Sequence, residues 1–310
     1  MGQIYSLKTN KLTWHNIINA GDAEIVFLRK NYHFNELDLA DAYAKRHAQR
    51  PKIDIRENYL FLVFLFPFYN HTLKIIEPKE IDIFITTDTI ITIQNLKNGE
   101  VNSEFDRYWK DKILTKSLAE KKPLVLLYEL LDKLYTACFP MIDHISLDIN
   151  HIEHNIYAKK ERQIVEDVLI IKRNIVNFLK IMQPHKRILR KIATTDFPFL
   201  TGEKKLVIYY NDLIDATKNI WDTVDNYRQT VDNLEDTNNI LVSFKINDVM
   251  RTLTIVSVIV FPLTLIAGIF GMNVIDMPIV GQKLDFWKII LLMAAASIGM
   301  FSYFKYKKWI

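Results

Sequence analysis

Between Thr252 and Phe270 the chain carries no charged side chain. A helix over that stretch reaches about 28 Å at ~1.5 Å per residue, close to the ~30 Å hydrocarbon core of a bilayer. The apolar run stops at Gly271-Met272-Asn273, and Asp276, Pro278 and Gly281 then supply a turn. A second apolar stretch, Ile289 to Phe304, follows and ends in Lys305, Lys307 and Lys308. The pattern predicts a membrane hairpin at the end of a long, otherwise polar chain.

Charge places the hairpin. Lys245 and Arg251 precede the first span, and the three lysines follow the second. The connecting loop holds Asp276, Lys283, Asp285 and Lys288, which balance. Positive flanks on one side put both termini in the cytoplasm, and the expectation is a multi-pass protein of the cell (inner) membrane. Trp287, Tyr303, Tyr306 and Trp309 stand where interfacial aromatics anchor a span. Of the 310 residues, 49% are hydrophobic and 25% charged, which describes a globular body rather than a disordered one. A net charge of +4 is too small to argue for a nucleic-acid partner, and no basic cluster is interleaved with aromatics. Cys138 is the only cysteine, so neither an intramolecular disulfide nor a Cys-rich zinc site can form, as suits a cytosolic body. Met1-Gly-Gln-Ile-Tyr-Ser lacks the apolar core of a signal peptide. It fits a myristoylation pattern, but one short enough to recur by chance.

Upstream of the hairpin the pattern changes once. Residues 1 to about 105 mix strands and helices. Asn35 is a cap for a helix from Glu36 through Ala44, with Pro51 as the stop beyond it. Strands are expected over Lys52–Glu57, Tyr59–Phe68, Leu73–Ile76, Ile81–Thr86 and Thr89–Gln94, with Asn70, Pro78 and Asn98-Gly99 as punctuation. Ile81, Ile83 and Ile85 alternate with Asp82, Phe84 and Thr86, the period of a half-buried strand. From Tyr108 the pattern is helical, with breaks at Pro140, Pro184 and Pro198. From about Glu203 to Pro262 no proline intervenes, which predicts a stalk running without a break into the first span. The expected fold is an α+β cytosolic domain (1–107), a helical region and stalk (108–244) and a transmembrane hairpin with a basic tail (245–310).

No nucleophile–base motif, phosphate-binding glycine loop or zinc-protease helix is present, so the chain points to transport and neither an enzyme nor a nucleotide binder. Asn247, Met250, Leu253, Ser257, Phe261 and Thr264 step by three or four along one face of the first span. Small and polar residues on such a face pack membrane helices together. They can also line a pore, but one hairpin cannot surround it, so a symmetric ring would be required. His144, Asp148 and His151 share a helix face beside an apolar stripe of Ile145, Ile149, Ile152 and Ile156. That reads as an ordinary amphipathic helix rather than a closed metal-ligand set.

The stretch Phe261-Pro-Leu-Thr-Leu-Ile-Ala-Gly-Ile-Phe-Gly-Met-Asn273, followed by Met277-Pro278, resembles the CorA family of magnesium transporters. The resemblance continues through Tyr209-Tyr-Asn-Asp-Leu213, Asp222-Thr-Val and Asn247-Asp-Val-Met250, and so covers roughly residues 205 to 310. It implies a funnel-shaped homopentamer in membrane lipid, with the first span lining the channel. Asn247, Met250, Leu253 and Thr264 coincide with family pore positions, whereas Phe261 replaces a methionine. Gly271, Met272 and Asn273 become the selectivity filter. Mg²⁺ gives up its waters reluctantly, so a ring of neutral Asn oxygens can accept hydrogen bonds from a hydrated ion. A helix C-cap explains the same residues blandly. Asp236 matches an aspartate at the cytosolic pore entrance, and Asp212 matches one that binds regulatory Mg²⁺ between subunits, with Asp82 and Asp88 as candidate partners. Ile279 stands where the family's loop usually carries an acid. The implied function is Mg²⁺ influx down the membrane potential, gated by cytosolic Mg²⁺. The alternatives are a transporter of Co²⁺, Ni²⁺ or Zn²⁺ in the same superfamily, against which Met272 leans toward magnesium, and a membrane-tethered sensor whose hairpin only anchors it.

Overall fold

The computed structural model describes residues 2–43, 50–95, 122–157, 161–197, 199, 206–272, 278–281 and 283–309. The chain divides into two compact units, Met1–Glu235 and Asp236–Ile310. The first begins with β1 (Gln3–Lys8), β2 (Thr13–Ile18), α1 (Asp22–Tyr32), α2 (Glu36–Asp41), β3 (Lys52–Ile55), β4 (Leu60–Asn70), β5 (Ile75–Ile85) and β6 (Thr89–Gln94). Asn35 caps α2 as expected, its side chain accepting from the Leu37 N–H at 2.9 Å. Ala44, Asn98-Gly99, Tyr108 and Pro198 lie outside the described residues.

The strands form one sheet in the order β1-β2-β6-β5-β4-β3. Only β2 and β6 pair in parallel; the other pairs are antiparallel. Two strand expectations need correction. Pro78 does not separate two strands but lies inside β5, directly opposite Pro67 of β4. The reason is local. β6 meets β5 only at Ile81–Ile85, and β3 meets β4 only at Leu60–Val63. Beyond those limits β4 and β5 form a two-stranded arm with open outer sides, where a missing N–H costs no ladder bond. β5 is also not half-buried. Residues 81–85 are all buried because both faces of the sheet are covered. Phe61, Val63, Phe84, Ile91 and Ile93 pack with α1 and α2 residues on one face, while Leu60, Leu62, Ile83, Ile85 and Ile90 pack with the helical layer on the other. Asp82 shares the first face at 0% exposure, and its carboxylate has no hydrogen-bond partner among the described residues. Burial pushes its pKa well above the usual carboxylate range.

The helical layer comprises α3 (Pro123–Thr136), α4 (Phe139–Tyr157), α5 (Glu161–Met182) and α6 (His185–Thr194). Pro140 splits α3 from α4 by taking a place in α4's first turn, where its missing N–H is harmless. Pro184 separates α5 from α6 as the residue capping the start of α6, just outside the helix. On α5, the Asn174 side-chain oxygen accepts from the Ile76 N–H at 3.0 Å, and its amide donates to the Lys74 carbonyl at 3.1 Å. Asn177 donates to the Ile76 carbonyl at 3.0 Å. These amides serve the open edge of the β5 arm, which explains a buried Asn on a core helix.

The next helix, α7, runs as one element from Leu206 to Phe270, 65 residues with Pro262 inside it. Its N-terminal part belongs to the first unit, where Leu206, Tyr210, Leu213, Ile220, Val224 and Val231 join the core. Lys172 of α5 also reaches Asp232 at 2.8 Å and Glu235 at 2.6 Å on α7. The second unit holds the rest of α7 and α8 (Asp285–Tyr306). Both helices are long and apolar enough to cross a membrane, and neither apolar window is buried within the chain.

Candidate functional site

The stripe on α7 is presented outward. Met250, Leu253 and Phe261 are 54, 58 and 71% exposed, although each is a large apolar side chain. Asn247 and Thr264 are exposed as well, and Ser257 is half-buried. Thr264 satisfies its hydroxyl on the Val260 carbonyl one turn back, at 2.9 Å. The half-buried apolar residues of this span are Ile255, Ile259, Leu263, Ile266 and Phe270. At ~3.6 residues per turn these fall on the side of the helix roughly opposite the stripe. On α8 the shielded positions are Ile289, Met293, Ala296, Ser297, Met300 and Phe304, again a single helical face. Those two faces are the natural packing surfaces of a two-helix hairpin, and among the described residues the stripe of Asn247 to Thr264 stays outside them.

At the end of α7 the Gly271 N–H still donates to the Ala267 carbonyl at 2.9 Å, and the Met272 N–H donates to Ile269 at 3.2 Å. Gly271 is not in the left-handed conformation that usually explains a glycine at a helix C-terminus. A Cβ there would meet the Ala267 carbonyl at 3.1 Å, a tight approach but not a prohibitive one. Met272 is exposed. Asn273, Asp276 and Met277 lie outside the described residues. In the loop that follows, Ile279 and Gly281 have positive φ angles of 78° and 88°. The latter suits glycine, whereas the former is strained for a β-branched residue.

Asp236 is exposed on α7, in the second unit. Asp212 is exposed on the part of α7 in the first unit, and Tyr128 of α3 donates to its Oδ2 at 3.3 Å. Burial, followed by the Asp212 charge, pushes the Tyr128 phenol up to about 12, so it remains a donor at neutral pH. Sequence reasoning missed Tyr128. It lies 84 positions from Asp212, and only the α3–α7 packing joins them. Of the two candidate partners for Asp212, Asp82 is fully buried inside the sheet and unavailable to a neighbouring chain. Asp88 is exposed, and its carboxylate accepts from the Thr89 hydroxyl at 2.9 Å. On α4, His144, Asp148 and His151 are exposed while Ile145, Ile149, Ile152 and Ile156 are buried, the amphipathic pattern expected. No group of three or more His, Cys, Asp or Glu among the described residues is placed to hold a metal ion.

Comparison with known proteins identifies the family and the fold. The CorA-like Mg²⁺ transporter protein family matches residues 9–307. The cobalt/magnesium transport protein CorA of Thermotoga maritima is 33% identical over 263 residues, covering 84% of this chain and 73% of that protein. The complete structure of the CorA magnesium transporter from Methanocaldococcus jannaschii superposes with a TM-score of 0.85 at 21% identity, over 99% of this chain and 94% of the other. The full-length CmaX protein superposes with a TM-score of 0.73 at 16% identity, over 96 and 89% of the two chains. At those identities the two structures speak for the fold.

Proposed function

This chain belongs to the CorA-like Mg²⁺ transporter family, and from that premise we propose that it is a passive divalent-cation channel that admits Mg²⁺. The membrane potential supplies the drive: ~2.3 kcal/mol per charge per 100 mV, so about 4.6 kcal/mol for a divalent ion. Five copies assemble around the Asn247–Thr264 face of α7. Gly271, Met272 and Asn273 form the mouth that reads the hydrated ion, and Met250 and Leu253 form an apolar constriction that gates by dewetting. Residues 1–107 and 108–244 form the cytoplasmic sensor and stalk, and 245–310 the membrane hairpin, with both termini in the cytoplasm. Regulatory Mg²⁺ binds at Asp212, between neighbouring subunits, and Asp236 draws cations toward the pore entrance.

The match over nearly the whole chain carries this reading, because a mere anchor would need neither the stalk nor the outward polar stripe. A relative named for both cobalt and magnesium keeps Co²⁺ as the alternative cargo, with Ni²⁺ and Zn²⁺ behind it. Expression in a strain deficient in magnesium uptake, scored with added cobalt, nickel and zinc, tests the proposal. Rescue of growth at low Mg²⁺ is expected. Sensitisation to zinc or cobalt without magnesium rescue would reassign the ion.

A further inference from the structure

Asp212 stands on an exposed helix face, where a short carboxylate side chain is free to turn between rotamers unless something holds it. Tyr128 provides the hold. The Tyr210 hydroxyl donates to the Leu124 carbonyl at 2.9 Å in the core, which fixes α7 against the first turn of α3. One α3 turn further along, the Tyr128 ring leans on that junction, its centroid 5.0 Å from Tyr209 and 6.5 Å from Tyr210. Its hydroxyl thereby comes within 3.3 Å of Asp212 Oδ2. No other hydrogen bond or ion pair is made by the Asp212 side chain among the described residues. One carboxylate oxygen is therefore held by a neutral donor, which leaves the charge intact and the second oxygen open.

We propose that Tyr128 is a positioning residue for the regulatory cation, orienting the Asp212 carboxylate before Mg²⁺ arrives. The inference rests on the reading of Asp212 as a Mg²⁺ ligand. A hydrated Mg²⁺ demands near-ideal directions from its ligands and from the acceptors of its waters. A carboxylate fixed in advance loses less freedom on capturing the ion, so affinity gains by pre-organisation rather than by an added contact. The phenol hydroxyl is the active part. The ring's packing against Tyr209 and Tyr210 is a separate, structural role that Phe would retain.

The test is limited proteolysis of the purified full-length protein across a Mg²⁺ titration, in wild type, Tyr128→Phe, Asp212→Asn and the double variant. In Tyr128→Phe the protection midpoint should move to about two- to fivefold higher Mg²⁺, the size expected for losing one hydrogen bond to a partly exposed charged group. Thermal unfolding in Mg²⁺-free buffer should be unchanged. In the Asp212→Asn background the same substitution should produce no further shift, which a merely structural role would not predict. If wild type is protected but Tyr128→Phe has the wild-type midpoint or a lower one, this inference falls and the Asp212 reading stands. A shift that persists in the Asp212→Asn background also overturns it. If wild type shows no Mg²⁺ protection, the reading of Asp212 fails and takes this inference with it.

Discussion

His185 sits at 0% exposure where α6 starts, held through both ring nitrogens: Nδ1 lies 2.8 Å from the Tyr135 hydroxyl and Nε2 2.8 Å from the Leu65 carbonyl. A carbonyl can only accept, so Nε2 carries the proton and Nδ1 accepts from the phenol. Burial lowers the imidazole pKa to about 4, against an ordinary 6.5. Between those values the unfolded chain binds the extra proton, so this contribution to stability is complete above pH 6.5 and is lost as pH falls toward 4. One group with that shift accounts for about 3 kcal/mol. Denaturant midpoints at pH 7 and 5 should therefore fall more steeply for wild type than for His185→Gln, which cannot titrate. Equal pH slopes would show that the site is not a buried neutral imidazole. At the helix end Gly271 has no left-handed backbone to serve, and Asn273 lies outside the described residues. Asn273→Ala is expected to abolish selective Mg²⁺ uptake while assembly, followed by size-exclusion chromatography, is retained. Near-wild-type uptake would remove the filter assignment.

Along α7 the contrast between the exposed stripe and the shielded face makes a sharper test than any single residue. Met250→Gly or Leu253→Ser should raise the resting cation leak into vesicles, because a polar or smaller side chain would no longer dewet the proposed constriction. Ile259→Ser lies on the shielded side and should lower the yield of folded protein instead, with no increase in leak per assembled channel. An increased leak from Ile259→Ser with none from the other two would rotate the pore face. Much of this element was legible: nineteen residues without charge, a polar stripe at helical spacing, and no proline from Glu203 to Pro262. The sheet was less so. Pro78 reads as a turn in one dimension, and only the pairing with Pro67 across an arm with open sides shows why β5 continues through it. The alternation around Asp82 reads as one wet face, but α1 and α2 cover that face. Neither β1, β2 nor α1 was resolved as a separate element, because their patterns are short and mixed and their burial comes from partners distant in sequence. Tyr128 at Asp212 was invisible for the same reason.

For the whole molecule, the proposed function requires the body to control a pore in the membrane. In the proposed channel, carboxylates brought together between neighbouring subunits would repel one another, and Mg²⁺ bound there would offset the repulsion. The ion favours the closed ring only to the extent that it binds that state better than the open one. Under the proposed feedback, a fall in cytosolic Mg²⁺ would empty the sites at Asp212, let the subunits separate and pass the movement along α7 to Met250 and Leu253. Asp212→Lys places a tethered ammonium where the ion sat and should reduce the dependence of protease resistance on Mg²⁺; full wild-type dependence in that variant would break the link. The feedback also predicts a flux that falls as the product of transport accumulates. The most direct test is Mg²⁺ entry into lipid vesicles containing the purified protein, with the interior taken as the cytoplasmic side. Both an inside-negative potential and the internal Mg²⁺ concentration should be varied. Entry should rise with the potential and shut down as internal Mg²⁺ reaches the millimolar range, about the affinity of weak carboxylate sites. Absence of Mg²⁺ entry at any potential, or entry indifferent to internal Mg²⁺, would contradict a Mg²⁺-gated channel.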